Sequence, residues 1–213
     1  MEYIDISPII TPKIAVFPGD TEFKRDILLD FKTGYNLLLS SITSTVHLGA
    51  HTDAPNHYHP DGDDIASRDL NFYIGNCQII TVNIERGKRI YPHDIKNVKI
   101  EAPRIIFKTG SFPDPDNWNH DFNSLSPELI SYLVGKKVIL VGIDTPSVDP
   151  ADSKELETHN TIYKNNLAIL EGVVLEDVSD GNYILIALPL KIKEGDASPV
   201  RAILLKKTEI FNL

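Results

Sequence analysis

Cysteine is almost absent: Cys77 is the only one in 213 residues. A single thiol closes no internal disulfide, which fits a reducing compartment such as the cytoplasm. Long apolar runs are absent too. No stretch approaches the roughly 20 residues needed to span a bilayer. The opening MEYIDISPII is acidic and has no apolar h-region, so no secretory signal is expected. Positive charge is scarce and nowhere clustered, with 21 Lys and Arg against 30 Asp and Glu and a net charge of −9. That balance argues against nucleic acid or an acidic membrane as partner. Repeats, low-complexity blocks and linkers are missing as well, so residues 1–213 are expected to form one domain. A chain of this length buries about 70% of its unfolded surface, and its core needs no staple.

Histidine is what the chain concentrates. Four of its seven histidines fall in the run VHLGAHTDAPNHYHPDG, which supplies His47, His51, Asp53, His57 and His59. Neutral imidazoles and carboxylates are the groups that Zn²⁺, Mn²⁺ and similar ions take from proteins. The spacing adds to the count. His47, His51 and Asp53 share odd parity, and a strand sends alternate side chains to one face. Thr43, Thr45 and Val46 favour strand, Gly49 disfavours helix, and Pro55 ends the ladder. A helix would also bring His47 and His51 to one face, at i and i+4. A lone histidine is more often a hydrogen-bonded structural residue, but three candidate ligands on one face point to a metal. His59, followed by Pro60, Asp61 and Gly62, reads as a turn residue.

Strand signals dominate the first half, over residues 4–6, 23–31, 37–47 and 77–84, with a short apolar run at 104–109. A helix is expected from Ser126, with Pro127 in the first turn where its missing N–H costs little. Residues 138–143 read as a buried strand, 153–166 as a second helix containing His159, and 183–190 and 200–205 as closing strands. Mixed strands with a few helices argue an α/β fold. Asp144, Thr145 and Ser147 form a polar cluster read as a turn, with support of a site or a substrate contact as the functional reading. Asp149, Asp152 and Glu155 lack the glycine and spacing of a calcium loop and read as solvated loop and helix-start charges. By position alone, His159 reads as a surface or capping residue and Glu171, before Gly172, as a helix or loop end.

The segment HLGAHTDAPNH resembles the H-x-G-x-H-x-D-x-P-x-H signature of the metal-dependent hydrolases called the cyclase family, within it the branch that cleaves aryl formamides. The likeness continues through FPGDT (17–21), WNHDFNSLSPELI (118–130), VGIDTPSVDPADSKELETHN (141–160), LAILEGVVL (167–175) and ALPLKIKEGDASPVRAILL (187–205). The resemblance implies a swivelling β/β/α fold and two divalent ions per subunit, Zn or alternatively Mn. It implies His47, His51, Asp53, His159 and Glu171 as metal ligands, with Asp53 between the two ions, and His57 as the acid/base group. It also implies an aromatic wall for the substrate at position 17, where the family commonly has tryptophan and this chain has Phe17. Its partners would be a small aryl formamide and a second copy of the chain, in a homodimer or larger assembly.

The reaction that follows is hydrolysis of an N-aryl formamide such as N-formylkynurenine to formate and the free amine. Metal ions would lower the pKa of water and polarise the carbonyl, and His57 would carry the proton to the leaving amine. Two other functions fit the same residues: opening of another aryl or cyclic amide of the isatin type, and metal binding without turnover. A purely structural metal site would have no use for His57.

Overall fold

The apolar runs at 104–109 and 138–143 lie side by side in the middle of one large sheet. The structure is a computed structural model and describes residues 2–206. In chain order its elements are β1 (Tyr3–Asp5), β2 (Lys24–Leu29), β3 (Leu39–Thr43), β4 (His51–Asp53), β5 (Ile74–Thr81), β6 (Arg89–Ile90), β7 (Arg104–Lys108), β8 (Ser124–Leu125), α1 (Pro127–Gly135), β9 (Leu140–Ile143), α2 (Glu157–Lys164), β10 (Ala168–Leu170), β11 (Gly181–Ile186), β12 (Ala197–Pro199) and β13 (Ile203–Lys206). Seven strands form the sheet in the order β1-β13-β11-β5-β7-β9-β10. β5, β7, β9 and β10 run parallel, and the other neighbours are antiparallel.

Central parallel strands are buried on both faces, which is why their sequences are continuous apolar runs rather than alternating ones. The period of two still sorts them. Ile105, Phe107, Val141 and Ile143 face one core with Leu129, Leu133 and Ile162 from the two helices. Ile79, Ile106, Leu140, Leu185 and Leu204 face the other, with Val173 and Val178. Helix α1 begins as its sequence requires: the Ser126 hydroxyl accepts from Leu129 N–H at 3.0 Å, and Pro127 takes the first turn.

The mixed sheet with two helices fulfils the α/β expectation. Boundaries differ where tertiary contacts take over. The strand expected over 37–47 stops at Thr43. The helix expected from Ser153 starts at Glu157, because the Asp149 carboxylate accepts from Thr158 N–H and His159 N–H and caps it there. β6, β8, β10 and β12 are two or three residues long, too short to show a period in the sequence.

Two features of this topology build the site. The parallel strands β7, β9 and β10 all end on one side, delivering Lys108, Asp144 and Glu171 to the edge where open α/β sheets bind ligands. Strand β4 pairs with β12 and is tied to the end of β10: His51 and Glu171 exchange both backbone hydrogen bonds, at 3.0 and 2.9 Å. Gly172 makes that approach possible. It has φ of +66°, and a Cβ there would meet the Gly49 carbonyl oxygen at 2.1 Å.

Candidate metal centre

The histidine run converges by a different route from the single strand its parity suggests. His47 lies on a bend before Gly49, whose φ of +56° reverses the chain. Only His51 and Asp53 share the face of a strand, β4. Pro55 ends that strand as expected and opens a single helical turn that carries His57. His59 follows in a turn closed by Gly62 N–H to its carbonyl, and its ring stacks on Tyr163 at 3.8 Å. It lies outside the clusters described next.

Asp53 is the centre of the arrangement. Its Oδ1 lies 2.9 Å from His47 Nδ1 and 3.5 Å from His51 Nε2, and its Oδ2 lies 3.4 Å from His159 Nε2. Glu171 Oε2 is 3.2 Å from His51 Nε2 and Oε1 is 3.9 Å from His159 Nε2. Two donor groups result, His47–His51–Asp53 and Asp53–His159–Glu171, each with ligand atoms within 4.8 Å of one another, and Asp53 belongs to both.

Asp53 Oδ1 is buried and makes no hydrogen bond despite its close histidine neighbours. A buried carboxylate oxygen without a donor is costly. Nitrogen and oxygen atoms that approach without a hydrogen-bond angle are arranged as ligands aimed at a common point. The mixed imidazole and carboxylate donors suit a divalent cation.

Each histidine is held by its far nitrogen. His51 Nδ1 meets the Gly49 carbonyl at 2.9 Å, His159 Nδ1 meets Asp149 Oδ2 at 2.8 Å, and His47 Nε2 meets Asp196 Oδ2 at 3.1 Å. Such contacts fix the tautomer and leave the other nitrogen's lone pair for the metal.

The electrostatics favour a cation. Burial alone would lower His47 and His159; the Asp53 carboxylate holds His47 up at about 9, and Asp149 with Asp53 holds His159 at about 10. Burial would raise Asp53, but His47, His159 and His51 outweigh it and hold it well below the usual carboxylate range. His57 goes the other way. Burial lowers it, and the neighbouring His47 and His159 add to that against the pull of Asp53. It is therefore neutral near pH 7 and free to accept a proton.

Above these residues opens a cavity of about 620 Å³ that also includes His57, Phe17, Phe112, Trp118 and Asp196 in its wall. Phe17 meets Trp118 edge-on, with ring centroids 5.0 Å apart. The wall is aromatic opposite a polar floor, a shape that seats a small aromatic molecule against the donor groups.

Two acidic residues correct or extend the sequence reading. Asp149 is fully buried rather than solvated: it accepts from His159, Thr158 and Arg89. Asp152 and Glu155 are exposed, as expected. Asp196 was not singled out, yet it faces both His47 and His57, the latter at 3.7 Å. No periodicity marks either position. Asp144 accepts from Thr109 and Gly110 N–H, so it locks the end of β7 instead of making a local turn, while the Thr145 hydroxyl donates to the Ser147 carbonyl within one.

Comparison with known proteins follows the same lines. The family described as "Putative cyclase" matches residues 4–150. A protein named kynurenine formamidase from Maricaulis maris is 39% identical over 201 residues, covering 94% of this chain and 96% of its own. A solved structure titled a potential metal-dependent hydrolase with cyclase activity superposes with a TM-score of 0.83 at 28% identity, covering 95% of this chain and 96% of that one. An isatin hydrolase structure superposes with a TM-score of 0.80 at 20% identity, covering 96% and 92%, which is a likeness of fold alone.

Proposed function

We propose that this chain, which belongs to the cyclase family, is a metal-dependent arylformamidase that hydrolyses N-formylkynurenine to kynurenine and formate. The observation that carries the reading is the pair of donor groups sharing Asp53 at the floor of an aromatic cavity with His57 beside them. His47, His51 and Asp53 would hold one divalent ion, and Asp53, His159 and Glu171 a second. Nitrogen and carboxylate donors suit Zn²⁺, with Mn²⁺ as the alternative. Bound there, divalent ions supply Lewis acidity toward the formyl oxygen and lower the pKa of water.

The chain's own groups supply the rest. Phe17, Phe112 and Trp118 seat the aryl ring and exclude water from one side of the formyl group. His57 Nδ1 faces Asp196, which leaves Nε2 for the reacting proton. Neutral His57 takes that proton from the attacking water and returns it to the amide nitrogen. An aryl amine leaves only once protonated, so this second transfer is required.

The test is formate release by purified protein of known metal content, before and after chelation. Activity lost on chelation and restored by Zn²⁺ or Mn²⁺ supports the reading. Full activity without metal would overturn it, and a clear preference for isatin would move it to a cyclic amide. Bound metal with no turnover on any of these substrates would leave a binding protein.

We read residues 1–213 as one working domain, because the described residues share a single large sheet with a core on each face. The buried, unpaired Cys77 fits the reducing cytoplasm. No described helix is long and apolar enough to cross a membrane.

The assembly we propose is a homodimer joined through the β2–β3 hairpin. Among the described residues β2 and β3 pair only with each other, and an isolated two-stranded ribbon is marginal in water. It exposes Leu28, Phe31, Tyr35, Leu38 and Ile42, the last at 67%. The hairpin carries three cations and two anions in a chain of net charge −9, so a second copy offers it an acidic body. Sedimentation checks this: the wild type should be dimeric and Ile42→Asp shifted toward monomer, and a monomeric wild type would end the proposal.

A further inference from the structure

The charged lining of the cavity is one-sided. Asp20, Asp144, Glu176 and Asp196 join the metal-facing carboxylates on its wall, and Lys108 is the one lysine or arginine among the described lining residues. Lys108 is the last residue of β7 and is half-buried. Its Nζ donates to the carbonyl oxygens of Glu176 at 2.7 Å and Val178 at 3.0 Å. An ammonium has three donors. Two of them are spent on neutral carbonyls, which fix the group in place without neutralising it. Among the described residues it forms no ion pair with a carboxylate. A positioned cation without an ion-pair partner, on the wall of a cavity, attracts an anion more strongly than one in open water.

The formamide chemistry at the cavity floor does not itself need that charge. The leaving group is a neutral amine, and the other product, formate, comes from the carbonyl at the cavity floor. The charge has a use if the substrate carries an anion on an arm away from the reacting carbonyl. We propose that Lys108 is the seat for a side-arm carboxylate, so that the enzyme selects aryl formamides built on an amino acid over plain ones. This rests on the formamidase reading above and names what that site recognises beyond the formyl group. Glu176, whose carbonyl holds Lys108, is itself exposed and lines the same cavity.

A purely structural Lys108 would tie the loop at 174–178 to the sheet and nothing more, and the experiment separates the two roles. Metal-loaded wild type, Lys108→Met and Lys108→Arg are assayed for formate release from N-formylkynurenine and from formanilide, which has the aryl formamide and no arm. The expected result for Lys108→Met is a fall of about tenfold or more in the ratio of kcat/KM for N-formylkynurenine to that for formanilide. That is the lower end of what a hydrogen bond to a charged group is worth. The fall should lie in KM, and Lys108→Arg should restore most of the ratio. An unchanged ratio, whether both activities fall together or neither does, overturns the proposal. If wild type releases formate from neither substrate, the formamidase reading has failed and the carboxylate seat is judged by equilibrium binding of L-kynurenine. Weaker binding to Lys108→Met than to wild type supports the seat, and equal binding ends it.

Discussion

The two sides of the metal centre are held in different ways. On one side His159 is braced by Asp149, which is wholly buried and itself held by the Arg89 guanidinium at 2.9 Å. Asp149 also caps α2, and burial is outweighed by His159 so that its carboxyl sits low, at about 2. On the other side His47 and His57 face Asp196, whose side chain is half exposed. The closed side is part of the core: removing its brace strands charges away from water. The open side borders the cavity, where water and substrate can replace what is lost. The buried polar groups here are tied into the fold, and the exposed ones stand beside the cavity.

The largest expected effect lies on the open side. His57→Ala should lower turnover about 10²–10⁴-fold, the range for a positioned acid/base group, while bound metal, measured by atomic absorption, stays near the wild-type level. His59→Ala should do far less, since His59 stacks on Tyr163 in a turn. A His59 variant more damaging than the His57 variant, with metal intact, would assign the proton to the wrong histidine.

The two braces give the direct comparison. Asp149→Ala leaves the buried His159 without its carboxylate and the half-buried Arg89 with Glu157 alone, and losing one partner of a buried pair costs about 3–5 kcal/mol. Urea unfolding of the metal-loaded protein should show that loss. Asp196→Ala should barely move the unfolding midpoint but lower metal affinity or turnover about 10–100-fold, as loss of an outer carboxylate does. Equal destabilisation by the two variants would erase the distinction between the sides.

The same contrast explains what could be read in the sequence. His47, His51, Asp53 and His57 stand out because they crowd into one short run; ligand chemistry points to the first three, and the family resemblance gives His57 its role. His51 and Asp53 do share a strand face, but Gly49 turns the chain and His47 arrives from a bend. His159 and Glu171 could not be found by position alone. One sits in a helix and the other after a short buried strand; the β4–β10 contact joins Glu171 to the first group, and Asp53 Oδ2, 3.4 Å from its Nε2, joins His159. Asp149 was misread because an acidic residue in a Pro-rich loop is usually solvated. Nothing local announces that Arg89, far away in the chain, folds over it. The central strands and α1 were legible because apolar runs and a Ser-Pro cap act locally. The two- and three-residue strands were not, because hydrogen bonds to distant partners define them.

Without metal, pH should separate the sides further. His47 at about 9 and His159 at about 10 both lie above the value near 6.5 of an unfolded histidine. A raised folded pKa means that the folded state binds the proton more tightly. The stabilisation is complete below pH ~6.5 and is lost as pH rises through the folded values, first on the open side and then on the closed one. The Tm of chelated protein should therefore fall between pH 6.5 and 9.5. Metal-loaded protein, whose ligands are already deprotonated, should hold its Tm over the same range. A chelated protein with a flat Tm would show that these histidines do not carry the protons assigned to them.

The smallest expected effect is at the rim of the open side. Phe17 is 39% exposed and meets Trp118 edge-on across the cavity wall. Phe17→Trp keeps an aromatic face and adds ring area and an N–H donor. An aromatic contact of this kind contributes about 0.5–1.5 kcal/mol beyond burial, or roughly 2- to 10-fold in affinity. On the proposed reading position 17 holds the ring and stands apart from the metal-facing groups, so the ground state and transition state should feel the change alike. KM for N-formylkynurenine should then move within that range while kcat stays near the wild-type value. A large fall in kcat with little change in KM would place Phe17 against the reacting carbonyl instead. The wall and the floor of the cavity would then have to be treated as one unit rather than two.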